Sequence, residues 1–138
     1  MKTTLEWQGG VAFAATAGSG HTLLLDGPPE HGGENKGARP MEAFLSGAAA
    51  CSAFDVVHIL KKGKQPLADL KVEVDGERAE SEPKVYTKIH LHFIVTGAEL
   101  SENAVARAVQ LSVDKYCSAL RMLAATCAIT HSHEIIRQ

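Results

Sequence analysis

Three cysteines, Cys51, Cys117 and Cys127, are the side chains best suited to covalent chemistry in this sequence. An odd number of them, in a chain that opens on Lys2-Thr-Thr-Leu-Glu-Trp7 with strand-like alternation and not on a charged-then-apolar leader, argues for reduced thiols and against a disulfide framework. Cys51 lies inside an apolar helical run. Cys117 falls at a junction between two predicted helices, where the first N–H groups of the following helix, with Lys115 and Arg121 nearby, would stabilise a thiolate. Cys127 opens a predicted strand and reads as a packing residue.

Asp55 and His58 follow Cys51 at helical spacing and share its face, which invites a nucleophile reading. Cys51 and His58 are about 10 Å apart along the axis, however, beyond a hydrogen bond, so the simpler expectation is buried polar groups that satisfy one another. His90 with His92, and His131 with His133, recur at strand spacing, and four imidazoles on neighbouring strands could hold zinc or copper. Ile89, Leu91 and Phe93 claim the face opposite the first pair, which leaves those histidines on the wet side of a sheet without a metal role.

The element that positions Cys51 is the run from Arg39-Pro-Met-Glu42 to Leu60-Lys-Lys-Gly63. Pro40 suits a first helical turn, Glu42 meets the dipole there, and two lysines and a glycine close the far end. Between residues 43 and 60 only Ser46, Cys51, Ser52, Asp55 and His58 carry any polarity, so a helix buried on every face is expected. Asp55 and His58 also interrupt the apolar stretch that a membrane span requires. Before this helix, residues 3 to 8, 11 to 17 and 21 to 26 read as a small meander punctuated by Gly9-Gly10 and Gly18-Ser-Gly20, and residues 27 to 38 as a loop rich in glycine and proline. After it, Leu67 to Glu80 and Lys84 to Thr96 alternate as two long antiparallel strands with one apolar face for the central helix. Ser101 can cap a second helix whose inward stripe is Val105, Ala108, Val109, Ser112, Val113 and Tyr116. A short third helix over 118 to 126, with Leu120, Leu123 and Ala124 inward, and a last strand over 128 to 137 complete an α+β chain.

The 138 residues, 45% hydrophobic and 22% charged, fit one domain spanning 1–138 with a modest core. A net charge of -2 gives no reason to expect nucleic acid or an anionic membrane as a partner. Cytoplasm is the expected compartment, and the unusual demand of the central helix for cover points to a homodimer.

Pro40-Met-Glu-Ala-Phe-Leu-Ser-Gly-Ala-Ala-Ala-Cys51, followed by Asp55-Val-Val-His-Ile-Leu-Lys-Lys62, resembles the signature of the osmotically inducible protein C and organic hydroperoxide resistance superfamily. Tyr116-Cys117-Ser-Ala-Leu-Arg121 is similar to its second cysteine element, and the order of elements agrees over nearly the whole chain. The resemblance implies an OsmC-like fold in an intertwined homodimer with two active sites at the subunit interface. It implies thiol-dependent reduction of organic hydroperoxides or hydrogen peroxide, a role in oxidative stress defence, and no metal or organic cofactor. Cys51 would be the peroxidatic thiol and Cys117 the resolving one, with an external dithiol resetting the pair.

Two positions depart from the family's peroxidases, which place a glutamate directly after the proline and an arginine in the N-terminal strands. Here Met41 follows Pro40, the glutamate is Glu42, and residues 1 to 38 contain no arginine. Arg39, twelve residues before Cys51, is about 18 Å away along the helix, so the activating cation comes from Arg121 or a partner subunit or is missing. These departures place the chain nearer an uncharacterised branch of the superfamily. Two other functions compete with a peroxidase: a non-enzymatic binder of a small apolar or lipid-like ligand at the dimer interface, and a structural metal protein.

Overall fold

Glycine decides the first hairpin. Gly9 and Gly10 both take positive φ, 91° and 55°, the left-handed backbone that a tight turn needs and other residues resist. They join β1 (Thr3–Trp7) to β2 (Phe13–Ala17), and β3 (Thr22–Leu25) adds to the far side, giving an antiparallel sheet in the order β1-β2-β3. The computed structural model describes all 138 residues, which divide into two compact units, Met1–Phe44 and Leu45–Gln138.

In the first unit the meander exposes much of its apolar side chain surface, with Leu5, Trp7 and Leu23 all open in the single chain. Its loop is ordered around Asp26, which is only 2% exposed. The Asp26 carboxylate accepts the N–H groups of Gly27, Glu34 and Lys36 at 2.7, 3.0 and 3.1 Å. A 3₁₀ turn at Pro29–His31 lies within the span that this carboxylate closes. Glu42 closes the helix start: its Oε1 accepts the Arg39 N–H at 2.8 Å, half of a capping box.

Helix α1 runs from Pro40 to Lys62 as the proline, acidic first turn and terminal lysines predict. Its burial differs from expectation. Within one chain only Ala48, Ala49, Ser52, Val56 and Leu60 are buried, a single stripe at steps of about one turn. Phe54, on another face, is 64% exposed. A chain of this size has too little material to cover a helix on all sides. By length and composition α1 could also cross a membrane. Its buried stripe, however, carries Ser52, which is hydrogen-bonded inside the protein.

The second unit is built on β4 (Asp69–Arg78), β5 (Tyr86–Thr96) and β6 (Ala128–Ile136), in that order. The β4 and β5 strands are antiparallel as expected, with Val72 opposite Phe93 and Val74 opposite Leu91. Strand β6 pairs parallel to β5, with Phe93 beside His133. A parallel neighbour requires a crossover, and α2 (Glu102–Leu111) with α3 (Ser118–Leu123) provides it. The apolar face carries Ile89, Leu91, Phe93 and Val95, all essentially inaccessible.

Ser101 caps α2 as its sequence predicts, accepting the Ala104 N–H at 3.2 Å. Val105, Ala108, Val109, Ser112 and Val113 are buried, but Tyr116 is 51% exposed and Cys117 takes its inward place. The cause is a π-helical turn over Ser112–Tyr116. One extra residue per turn carries Tyr116 off the stripe and brings Cys117 onto it. In α3 Leu120 is buried, whereas Ala124, expected inward, lies beyond the helix end and is exposed.

Candidate thiol site

Cys51 and Cys117 come from elements 66 positions apart, and the fold brings them together. The Cys51 thiol lies close enough to Cys117 to be among the groups that perturb its titration. Cys51 is half-buried on α1, while Cys117 is completely buried at the break between the π-helical turn and α3. The Cys117 thiol donates to the Ala48 carbonyl at 3.8 Å and accepts the Leu120 N–H at 3.4 Å. These contacts fix its sulfur against α1, one turn from Cys51.

Burial pushes the Cys117 thiol up to about 11, with the nearby Cys51 thiol acting in the same direction. The Leu120 N–H opposes that shift and loses to desolvation. The expectation of a thiolate stabilised at the helix junction is therefore corrected: Cys117 is held as a neutral thiol. The Lys115 ammonium lies 5.2 Å from the Tyr116 ring centroid. Arg121 is exposed and its backbone N–H donates to the Cys117 carbonyl at 2.9 Å, while its guanidinium makes no hydrogen bond or ion pair within the chain. Glu42 is engaged by its capping bond to Arg39.

Below the thiols lies a polar cluster that the sequence reading did not pick out. Ser52 and Ser112, both 0% exposed, share a hydrogen bond of 2.8 Å between their hydroxyls. The Ser112 hydroxyl also lies 2.9 Å from the Ser52 carbonyl and 3.2 Å from Asp55 Oδ2. The signal was present in outline, since Ser112 sat on the predicted inward stripe and Ser52 follows Cys51. The expectation that Asp55 and His58 are buried and satisfy one another is corrected: Asp55 is half-buried and its partner is Ser112, while His58 is exposed and packs against Phe54 with ring centroids 4.4 Å apart and planes tilted by 45°.

Cys127 is buried, its thiol donating weakly to the Ala128 carbonyl at 3.8 Å, and burial raises its pKa. The four histidines are split. His90 and His92 lie on the sheet face bearing Thr130, Ser132 and Glu134, where Ser132 Oγ bridges His90 Nε2 at 2.9 Å and His92 Nδ1 at 2.7 Å. His131 and His133 are in register with Leu91 and Phe93, on the other face, and His133 Nε2 pairs with Glu102 at 2.7 Å. No group of three or more His, Cys, Asp or Glu side chains is arranged to hold a metal ion.

The model of the OsmC-like protein family matches residues 33–132, which include both cysteine elements. The chain belongs to the OsmC-like family. Members of this family include hydroperoxide resistance proteins. Protein YhfA of Escherichia coli is 46% identical over 136 residues, covering 99% of this chain and 98% of YhfA. A hypothetical protein from Aquifex aeolicus is 34% identical with a TM-score of 0.87, the match covering 99% of this chain and 96% of that one. An organic hydroperoxide resistance protein from Legionella pneumophila shares the fold at 21% identity, with a TM-score of 0.72 over 97% of both chains.

Proposed function

We propose that this OsmC-like protein is a thiol-dependent peroxidase that reduces organic hydroperoxides or hydrogen peroxide through Cys51 and Cys117, in oxidative stress defence. The observation that carries the reading is the meeting of a half-exposed thiol with a fully buried one from a distant element. Solvent access makes Cys51 the thiol that meets substrate, and burial makes Cys117 the one that waits for it.

In the first step the Cys51 sulfur attacks the distal peroxide oxygen, the O–O bond breaks, and an alcohol or water leaves with the proton, giving Cys51 sulfenic acid. The Cys117 thiol then displaces water and forms the Cys51–Cys117 disulfide. An external dithiol restores both thiols and is itself oxidised to a disulfide. All of residues 1–138 are taken as one OsmC-like domain acting in the cytoplasm, where such a dithiol pool is maintained.

The working unit is a homodimer. The exposed face of α1, with Phe54 as its largest open apolar side chain, is the surface that a second copy would cover. Arg121 is retained as the charged residue that assists Cys51, because its guanidinium is uncommitted within one chain, whereas Glu42 is engaged in capping Arg39.

A second reading has its own observation. Ser46, Ala49, Ala50 and Ala53 of α1 and Leu70, Val72 and Val74 of β4 line an open apolar cleft of about 300 Å³, suited to a small apolar or lipid-like ligand in a non-enzymatic binder. Peroxide consumption in the presence of a dithiol separates the two. The wild type should consume peroxide and Cys51→Ser should not, with a loss of about 100-fold or more expected for a missing nucleophile. A Cys51 that remains a free thiol under excess peroxide would remove the peroxidase reading and leave the binder.

A further inference from the structure

We infer that Ser52 and Ser112 are positioning residues for the thiol pair, their buried hydrogen bond setting where Cys117 stands relative to Cys51. This rests on the two-thiol reading above and adds to it the part of the fold that holds the thiols in register.

The connection can be followed atom by atom. Cys51 is covalently joined to Ser52. The Cys117 N–H donates to the Ser112 carbonyl, five residues back, at 2.9 Å. Between the two serines lie the 2.8 Å hydroxyl pair and the 2.9 Å approach of the Ser112 hydroxyl to the Ser52 carbonyl. Each thiol is thus one peptide link or one hydrogen bond from a single point where α1 meets the π-helical turn.

The hydroxyls have few ways to be satisfied. When Ser52 donates to Ser112, the single proton of Ser112 has the Ser52 carbonyl and the Asp55 carboxylate as acceptors. Both choices keep Ser112 on α1. With no solvent access at either serine, water cannot replace a lost partner. π-helical turns are frequent at functional sites, and this one moves Cys117 into the position that the regular stripe would have given to Tyr116.

The test avoids peroxide. The full chain carrying Cys127→Ser is equilibrated in buffers of reduced and oxidised glutathione, where protein dithiol and oxidised glutathione give protein disulfide and two reduced glutathiones. Ser112→Ala, Ser52→Ala and the double variant are compared with this parent. Displacing one sulfur by a fraction of an ångström should lower the equilibrium constant for the Cys51–Cys117 disulfide by about tenfold or more. The double variant removes the Ser52 hydroxyl that Ser112→Ala alone leaves buried without its mate, so its melting temperature should recover relative to Ser112→Ala while its equilibrium constant stays low. That split separates positioning from general stability, and the double variant serves if a single one does not fold.

An equilibrium constant within about twofold of the parent in the double variant would overturn the inference, since positioning is worth far more than that. So would a parent that forms no Cys51–Cys117 disulfide in oxidising glutathione. A parent that forms the disulfide but consumes no peroxide would sink the peroxidase reading alone, leaving the positioning result standing.

Discussion

The Cys51 and Cys117 thiols meet with opposite exposures, the first half-buried on α1 and the second sealed between α1 and α3. That asymmetry assigns an order to any oxidation. In the proposed two-thiol mechanism a peroxide would reach Cys51 first, and Cys117 would react only with what forms there. A buried thiol with a raised pKa also resists direct oxidation, because the thiolate is the reactive form.

The same burial makes stability depend on pH. Cys117 is raised from its ordinary 9.0 to about 11, so in that interval the folded state keeps a proton that the unfolded chain has lost. Stability is then full below about pH 9 and falls as pH rises toward about 11. Cys127 is raised as well and adds the same sign. Urea midpoints measured across this range should decline more steeply for the wild type than for Cys117→Ser, which has no thiol to titrate. Equal slopes would contradict the burial account of the shift.

Asp26 gives the opposite sign. Its carboxyl is held below the ordinary 3.8, chiefly by the Lys36 N–H and then by the Gly27 N–H. A group depressed in the folded state contributes stability above its unfolded pKa and loses it as pH falls through the lower folded value. Asp26→Asn presents an amide that accepts less well, so it should melt below the wild type at pH 7. The difference should shrink as pH drops under about 3.8, because protonation then removes the wild type's advantage. Thermal scans on both proteins check this, and a gap that persists in acid would count against it.

Much of this molecule was legible because its signals are local. Pro40, Ser101 and the glycine turns mark element ends by backbone chemistry that neighbours do not override. The two cysteine contexts were likewise readable in short windows. Three features were not. Period-two alternation in 128 to 136 reveals a strand but not whether its neighbour runs parallel, and that pairing separates the histidine pairs across the sheet. The π-helical turn at 112 to 116 has no compositional mark, so a regular period placed Tyr116 inside. The apolar surround of α1 reads as complete burial, although a single chain covers one stripe.

Gly76 tests how closely β4 is packed. A Cβ there would lie 2.6 Å from Cε1 of Tyr86 and 3.3 Å from Cδ2 of Leu45. The aromatic ring cannot yield without moving its own neighbours, so Gly76→Ala should destabilise by about 1–3 kcal/mol. Denaturant unfolding measures it. A neutral or stabilising result would mean that the ring is free to swing away.

The proposed homodimer predicts that α1 is sensitive on its exposed side. Phe54 is 64% exposed in one chain, and its ring packs at a tilt against His58. A charge buried without a partner opposes association, so Phe54→Asp should weaken self-association by at least about 2 kcal/mol, or roughly 30-fold in dissociation constant. Sedimentation equilibrium at micromolar concentration distinguishes the outcomes. A wild type that is already a monomer there removes the dimer proposal.

The last prediction follows from the division of labour between the thiols. If Cys117 resolves an oxidised Cys51, removing it leaves the first step intact and the second without a partner. Cys117→Ser should therefore consume about one equivalent of peroxide and stop, holding Cys51 sulfenic acid that a dimedone-type reagent traps. Continued peroxide should carry that species to sulfinic acid, whereas the wild type accumulates a disulfide that a dithiol reverses. Cys127→Ser should match the wild type in both respects, since Cys127 hydrogen-bonds only to the carbonyl of the next residue. Mass spectrometry after peroxide treatment reads all three species. A disulfide between Cys51 and Cys127 in the Cys117→Ser protein, or full turnover by that variant, would show that Cys117 is not the resolving thiol.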